Sequence, residues 1–132
     1  MIAVDTNVLL RFLVDDDPEQ NRLARDFMAA RTIEDPAYVS ALVLAETVWL
    51  LRKRLGYPWA SILNLLRALL AAAELVIEHA EDLDLLVEKA ETLRADLSDH
   101  LIVWAARKAG CRKTVTFDRE AAGTIAGMEL LT

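Results

Sequence analysis

Ile2-Ala3-Val4-Asp5-Thr6-Asn7 opens the chain, and Val115-Thr116-Phe117-Asp118 stands near its other end. Each is a run of β-favouring or small residues that reaches an aspartate. A strand followed by a helix delivers its last residue to the carboxyl edge of a parallel sheet, where α/β proteins place ligands. If both runs are strands of one sheet, Asp5 and Asp118 arrive at the same edge. Glu46 and Asp99 have sequence contexts that bring them there as well. Carboxylates gathered in one cleft repel each other unless a cation sits among them. The pattern predicts a site for a hard divalent metal.

Working outward from these runs, strands alternate with helices. The first strand, Ile2–Val4, leads into a short helix from Asn7 to Val14. The acidic turn Asp15-Asp16-Asp17-Pro18 follows, with Asp17 as cap and Pro18 at the start of a helix running to Ala30. Leu23, Phe27 and Met28 form the apolar side of that helix. Ala37–Val39 is the second strand. Ser40 caps a long apolar helix, Ala41 to Leu55, which ends at Gly56. Pro58 opens the next helix, to Ala72, and Leu75–Ile77 is a third strand. A helix from Glu81 to Arg94 precedes one capped by Ser98 or Asp96, which runs to Lys108 and closes at Gly110. Thr114–Phe117 is the fourth strand, Arg119 to Ala122 a short helix, and Met128–Leu130 a final strand. The alternation predicts an α/β fold, a three-layer sandwich with a small, mostly parallel sheet flanked by helices. The helical block from Ala41 to Ala73 is large for so small a sheet. It is expected to present an apolar face to a partner.

The 132 residues suit one domain, 1–132, with a single core. At 55% hydrophobic and 27% charged the chain is globular in composition. Its net charge of -6 gives no blanket attraction to nucleic acid, so such a substrate needs local basic patches or bound cations. A single cysteine, Cys111, excludes an internal disulfide and reads as a small core residue near a helix end. No basic, apolar leader opens the chain, and Leu65–Val76 is too short and too charged to span a bilayer. A cytoplasmic protein is expected.

Each acid has a structural reading beside the functional one. Asp5 and Asp118 can cap the helices that follow them. Glu46 shares a helical face with Leu42, Val43, Trp49 and Leu50. A carboxylate buried on such a face costs roughly several kcal/mol unless paired or metal-bound. An ion pair to Lys53 or to an arginine elsewhere is the alternative. Asp99 stands three residues after Asp96, as in a capping box, and the apolar Leu101, Ile102 and Val103 follow it. That makes Asp99 the inward acid, with Asp96 either an outer ligand or a cap. Oxygen-only donors suit Mg²⁺ or Mn²⁺, not Zn²⁺. His79 and His100 lack metal-ligand spacing and read as surface or packing residues.

The ordered set Val4-Asp5-Thr6-Asn7, Ala45-Glu46, Asp96-Leu97-Ser98-Asp99-His100-Leu101-Ile102 and Thr116-Phe117-Asp118 resembles a PIN-domain ribonuclease, specifically a VapC-type toxin of a toxin–antitoxin pair. The resemblance covers the whole chain. It implies that Asp5, Glu46 and Asp99 are the three core acids and Asp118 the more variable fourth. Asp96 stands where many relatives have a further acid, and Thr6, Asn7 and Thr116 support the site. It also implies Mg²⁺- or Mn²⁺-dependent RNA cleavage, homodimerisation and inhibition by a VapB-type antitoxin. Lys53 and Arg11 are candidates for contact with RNA phosphate. His100 stands where relatives often carry alanine.

Two other classes compete. A degenerate PIN-like scaffold explains each acid as a cap. A haloacid-dehalogenase-type phosphoryl-transfer domain needs a second aspartate where Asn7 stands. A receiver domain needs a phosphoacceptor after the third strand, where Glu78-His79 stands.

Overall fold

Side-chain caps set the boundaries of the elements in a first unit, Met1–Glu88, of the two into which the chain divides. The second is Lys89–Thr132, and the computed structural model describes residues 1–89 and 96–132. In the first unit β1 (Ile2–Ala3) is followed by Asp5, which caps α1 (Thr6–Leu13) by accepting the Val8 N–H at 2.9 Å. Asp17 caps α2 (Pro18–Ala29) through the Gln20 N–H at 3.1 Å. Pro18 takes the first helical position, where its missing N–H goes unnoticed. β2 (Ala37–Val39) runs into Ser40, which caps α3 (Ala41–Trp49) through the Val43 N–H at 3.2 Å. α4 (Trp59–Ala71), β3 (Leu75–Ile77) and α5 (Ala80–Lys89) complete it. The far end of the helix expected to reach Arg94 lies outside the described residues.

The strands of this unit form a parallel sheet in the order β1-β2-β3, with Ile2 beside Ala37 and Ala37 beside Leu75. Parallel strands need crossovers, and the helices supply them. Leu9, Val39, Leu44, Leu51, Ile62 and Leu83 are fully buried. Each such side chain contributes about 1.5–3 kcal/mol of apolar burial. On α2 the inward residues are Asn21, Ala24 and Met28, whereas Leu23 is exposed, which corrects the expected apolar side. Asn21 holds the inward position because its amide donates to the Arg11 carbonyl at 2.7 Å and accepts the Arg25 Nε–H at 3.1 Å.

The expected single helix from Ala41 to Leu55 changes character at Leu50. From Leu50 to Arg54 it widens into a π-helical turn. The Leu55 N–H donates to the Leu50 carbonyl, five residues back, at 3.0 Å. Leu51 stays buried through this turn, and the Arg52 guanidinium lies over the Trp59 ring at 5.3 Å.

In the second unit α6 (Leu97–Lys108) and α7 (Arg119–Thr124) accompany β4 (Thr114–Thr116) and β5 (Met128–Leu130). Val103, Ala121 and Ile125 are its buried centre, with Met128 packed on them. Beyond α6, Gly110 adopts φ 93°, its N–H donates to the Arg107 carbonyl at 3.0 Å, and the Cys111 N–H reaches the Ala106 carbonyl at 2.9 Å. This left-handed closure satisfies the last carbonyls and turns the chain outward. Cys111 is therefore exposed, not a core residue as the sequence suggested.

β4 and β5 pair in parallel, Thr114 beside Met128 and Thr116 beside Leu130. The sequence reading put β1 and β4 in one sheet. Among the described residues β1 pairs with β2 and β4 with β5, each across a connection that contains a helix. β4 stops at Thr116, one residue early, since the Thr116 Oγ1 accepts the Asp118 N–H at 3.0 Å and bends the chain. The result is a mixed α/β protein with small parallel sheets, consistent with the expected class. Among the described residues no helix is long and apolar enough to cross a membrane.

Candidate functional site

The first unit carries Asp5 and Glu46 on helices that pack together, α1 and α3. Asp5 gives one carboxylate oxygen to the Val8 N–H. Its second oxygen has no hydrogen-bond partner among the described residues. Thr6 is buried directly behind it, and Asn7 is exposed. Glu46 stands on the outer surface of α3 and is exposed. Of the apolar neighbours expected to bury it, Leu42 and Trp49 are 78% and 57% exposed, and Val43 and Leu50 are half-buried. The inward positions are instead Leu44, Thr47 and Val48. Burial therefore imposes no cost on the Glu46 charge. Among the described residues Glu46 has no ion pair, and Lys53, exposed on the π turn, does not reach it.

A cleft of about 620 Å³ is lined by Asp5 and Arg11 together with Ile2, Val8, Leu23 and Phe27. The Arg11 guanidinium is already engaged. It donates to both Asp16 oxygens at 2.8 and 3.0 Å and to Gln20 Oε1 at 2.8 Å.

The second unit carries Asp96, Asp99 and Asp118. Asp96 occupies the cap position of α6 through its backbone, whose carbonyl accepts the Asp99 N–H at 3.0 Å. Its side chain makes no capping hydrogen bond. Asp99 is half-buried in the first turn of α6. Burial pushes its carboxyl above the usual carboxylate range, and the negative charges of Asp96 and Asp118 add to this, against a smaller opposing effect of His100. The structure thus brings these three acids within electrostatic range of one another. His100 packs on Trp104 at 5.9 Å, and burial holds its imidazole below the usual histidine range. Asp118 caps α7 through the Ala121 N–H at 3.0 Å, using one oxygen. Thr116, expected to support the site, hydrogen-bonds the Asp118 backbone and so sets where that carboxylate begins.

Sequence reading missed Glu78. Its Oε1 accepts the Ala41 N–H at 2.8 Å and secures the start of α3, the helix that carries Glu46. An acid directly after β3 was the available signal. Its partner lies 37 residues away, so no local pattern reveals the bond. The same charge, after the larger effect of burial, raises the Tyr38 hydroxyl above its usual range.

These donors are all carboxylate oxygens. Asp96, Asp99 and Glu46 form no ion pairs among the described residues, and like charges oppose ionisation of Asp99. That chemistry fits a hard divalent cation. Among the described residues no three Asp, Glu, His or Cys side chains converge closely enough to hold a metal by themselves.

A family model of the PIN domain matches residues 2–124. The chain belongs to the PIN-domain family. The match encloses Asp5, Glu46, Asp96, Asp99 and Asp118. No curated protein matches the chain. PIN domains are generally nucleases acting on nucleic acid, and they generally use divalent metal ions. For this PIN domain the exposed acids supply donors of the type such an ion prefers.

Proposed function

We propose that this PIN domain, acting as one domain over residues 1–132, is an Mg²⁺- or Mn²⁺-dependent endoribonuclease. It serves as the VapC-type toxin of a toxin–antitoxin pair in the cytoplasm, as a homodimer held in check by a VapB-type antitoxin. The observation that carries this reading is the family match over an ordered series of acids whose carboxylate oxygens are largely left unpaired.

Asp5, Glu46 and Asp99 would be the principal metal ligands, Asp118 would assist, and Asp96 is a further candidate. The bound metal would lower the pKa of a water and offset charge on the phosphorane-like transition state. Thr6 and Asn7, the first residues of α1 directly after Asp5, would support the site there, and Thr116, whose Oγ1 accepts the Asp118 N–H, would support it at the Asp118 turn. Lys53 offers an exposed cation to RNA phosphate, whereas Arg11 must first leave Asp16 and Gln20. The products expected from the resemblance carry a 5′-phosphate and a 3′-hydroxyl.

The test is cleavage of total RNA with Mn²⁺, with EDTA, and with Glu46→Gln, followed by mapping of the ends. Metal-dependent cuts that vanish in the variant support the reading; cuts of equal strength in EDTA overturn it. Growth arrest on induction, relieved by a small DNA-binding protein encoded immediately upstream, is expected of a toxin.

The capping bonds of Asp5 and Asp118 favour a second reading, an inactive PIN-like scaffold. A scaffold shows no rise in melting temperature with Mn²⁺, whereas a ligand of the native state raises it by mass action.

A further inference from the structure

Leu42, Glu46, Trp49 and Lys53 recur at intervals of four, three and four residues, the spacing of one helical face. All four are exposed. Between Trp49 and Lys53 the helix widens into its π turn, and four residues remain close to one full turn there as in the α-helix. Lys53 therefore stays on the Trp49 side. The core does not need this indole, because Leu44, Thr47, Val48 and Leu51 already fill the inner side of the helix. An exposed tryptophan on a rigid, capped helix is a large apolar surface held ready for a partner.

Charge distinguishes the possible partners. The chain is acidic overall at -6, yet the turn after Trp49 is Arg52-Lys53-Arg54. Arg52 is taken by the Tyr57 carbonyl at 3.3 Å and by the Trp59 ring. Among the described residues Lys53 and Arg54 have no ion pair. A carboxylate and a cation interrupt the stripe on either side of the ring, which spoils it as a seam for an apolar protein surface. An aromatic platform beside unpaired cations is the arrangement that binds unpaired nucleotides, by stacking and by phosphate contact.

We infer that Trp49 is the platform on which an unpaired base of single-stranded RNA stacks, with Lys53 against the adjoining phosphate. This rests on reading Glu46 as part of the cleavage site. Trp49 follows Glu46 by about 4.5 Å along the helix axis. The stacked base then belongs to a nucleotide close to the scissile phosphate. Stacking tolerates every base, so Trp49 sets where along the strand the cut falls more than which base is chosen.

The test uses the full chain and a labelled mixed-sequence RNA 12-mer, with an abasic 12-mer as control. Fluorescence anisotropy is read in EDTA, where no cleavage occurs, and KM and kcat are then read with Mn²⁺. Trp49→Ala should weaken binding of the normal strand by about tenfold or more. It should raise KM more than it lowers kcat and leave affinity for the abasic strand unchanged. Trp49→Phe should recover much of the loss. Equal affinity of wild type and Trp49→Ala for the normal strand overturns the inference, as does an equal loss on both strands. A Trp49→Ala variant that changes only the sedimentation behaviour also overturns it and gives the face to a second copy. Wild type that stacks RNA through Trp49 without cutting it removes the nuclease reading and keeps this one. Wild type that cuts RNA with Trp49→Ala unaffected does the reverse.

Discussion

Asp118 accepts the backbone N–H of Ala121 at 3.0 Å, and Asp5 does the same for Val8 at 2.9 Å, so two of the candidate ligands are also helix caps. The two roles separate by substitution. Asparagine keeps a capping oxygen, whereas alanine removes it. Asp5→Ala and Asp118→Ala should each lower unfolding free energy by about 1 kcal/mol in urea titrations. The asparagine variants should stay within about 0.5 kcal/mol of wild type while losing metal-dependent cleavage.

Glu46 has no such structural duty. It is exposed and, among the described residues, unpaired. Glu46→Gln should leave stability within about 0.5 kcal/mol of wild type. Cleavage with Mn²⁺ should fall by about 100-fold or more if Glu46 holds the metal. Circular-dichroism melts alongside initial-rate assays check both halves.

The raised Asp99 carboxyl gives a pH signature for the metal-free protein. A group whose pKa is higher in the folded state adds stability below its unfolded value, about pH 4, and loses it as pH rises through the folded value. Asp99→Asn removes that loss. The change in melting temperature on making the variant should therefore be more favourable at pH 7 than at pH 4. Mn²⁺ should reverse the order at pH 7, because only the wild-type carboxylate gains from the cation. Melts at both pH values with EDTA, then with Mn²⁺, read this out.

Cys111 is exposed at the close of α6, where among the described residues only its backbone is engaged. A maleimide should label it in the native protein at a rate close to that in denaturant. Protection of more than about tenfold in the native state would place it in the interior after all.

Local chemistry made much of the fold legible. Asp17-Pro18 and Ser40 announce their helices because a cap and the residue it serves lie within three positions of each other. Ala37–Val39, Leu75–Ile77 and Met128–Leu130 were readable as strands because short apolar runs stood between turn or helix signals. The inward side of α2 was not readable. Leu23 is the apolar residue, yet Asn21 goes inside because the Arg11 carbonyl is there to meet it. Nor was the exposure of Cys111, which depends on the left-handed turn at Gly110.

The candidate site divides in the same way. The order of residues alone determined which acids follow strands or open helices, that all their donors are oxygens, and that the chain is a mixed α/β protein of the PIN-domain family. Only tertiary structure decided that Glu46 and Trp49 face solvent, that Glu78 secures α3 from 37 residues away, and that Asp96 and Asp118 press on the ionisation of Asp99. Caps and periodicity act over a few residues and are written in sequence. Burial, long-range hydrogen bonds and electrostatic pressure depend on what the rest of the chain places nearby, which spacing alone does not encode.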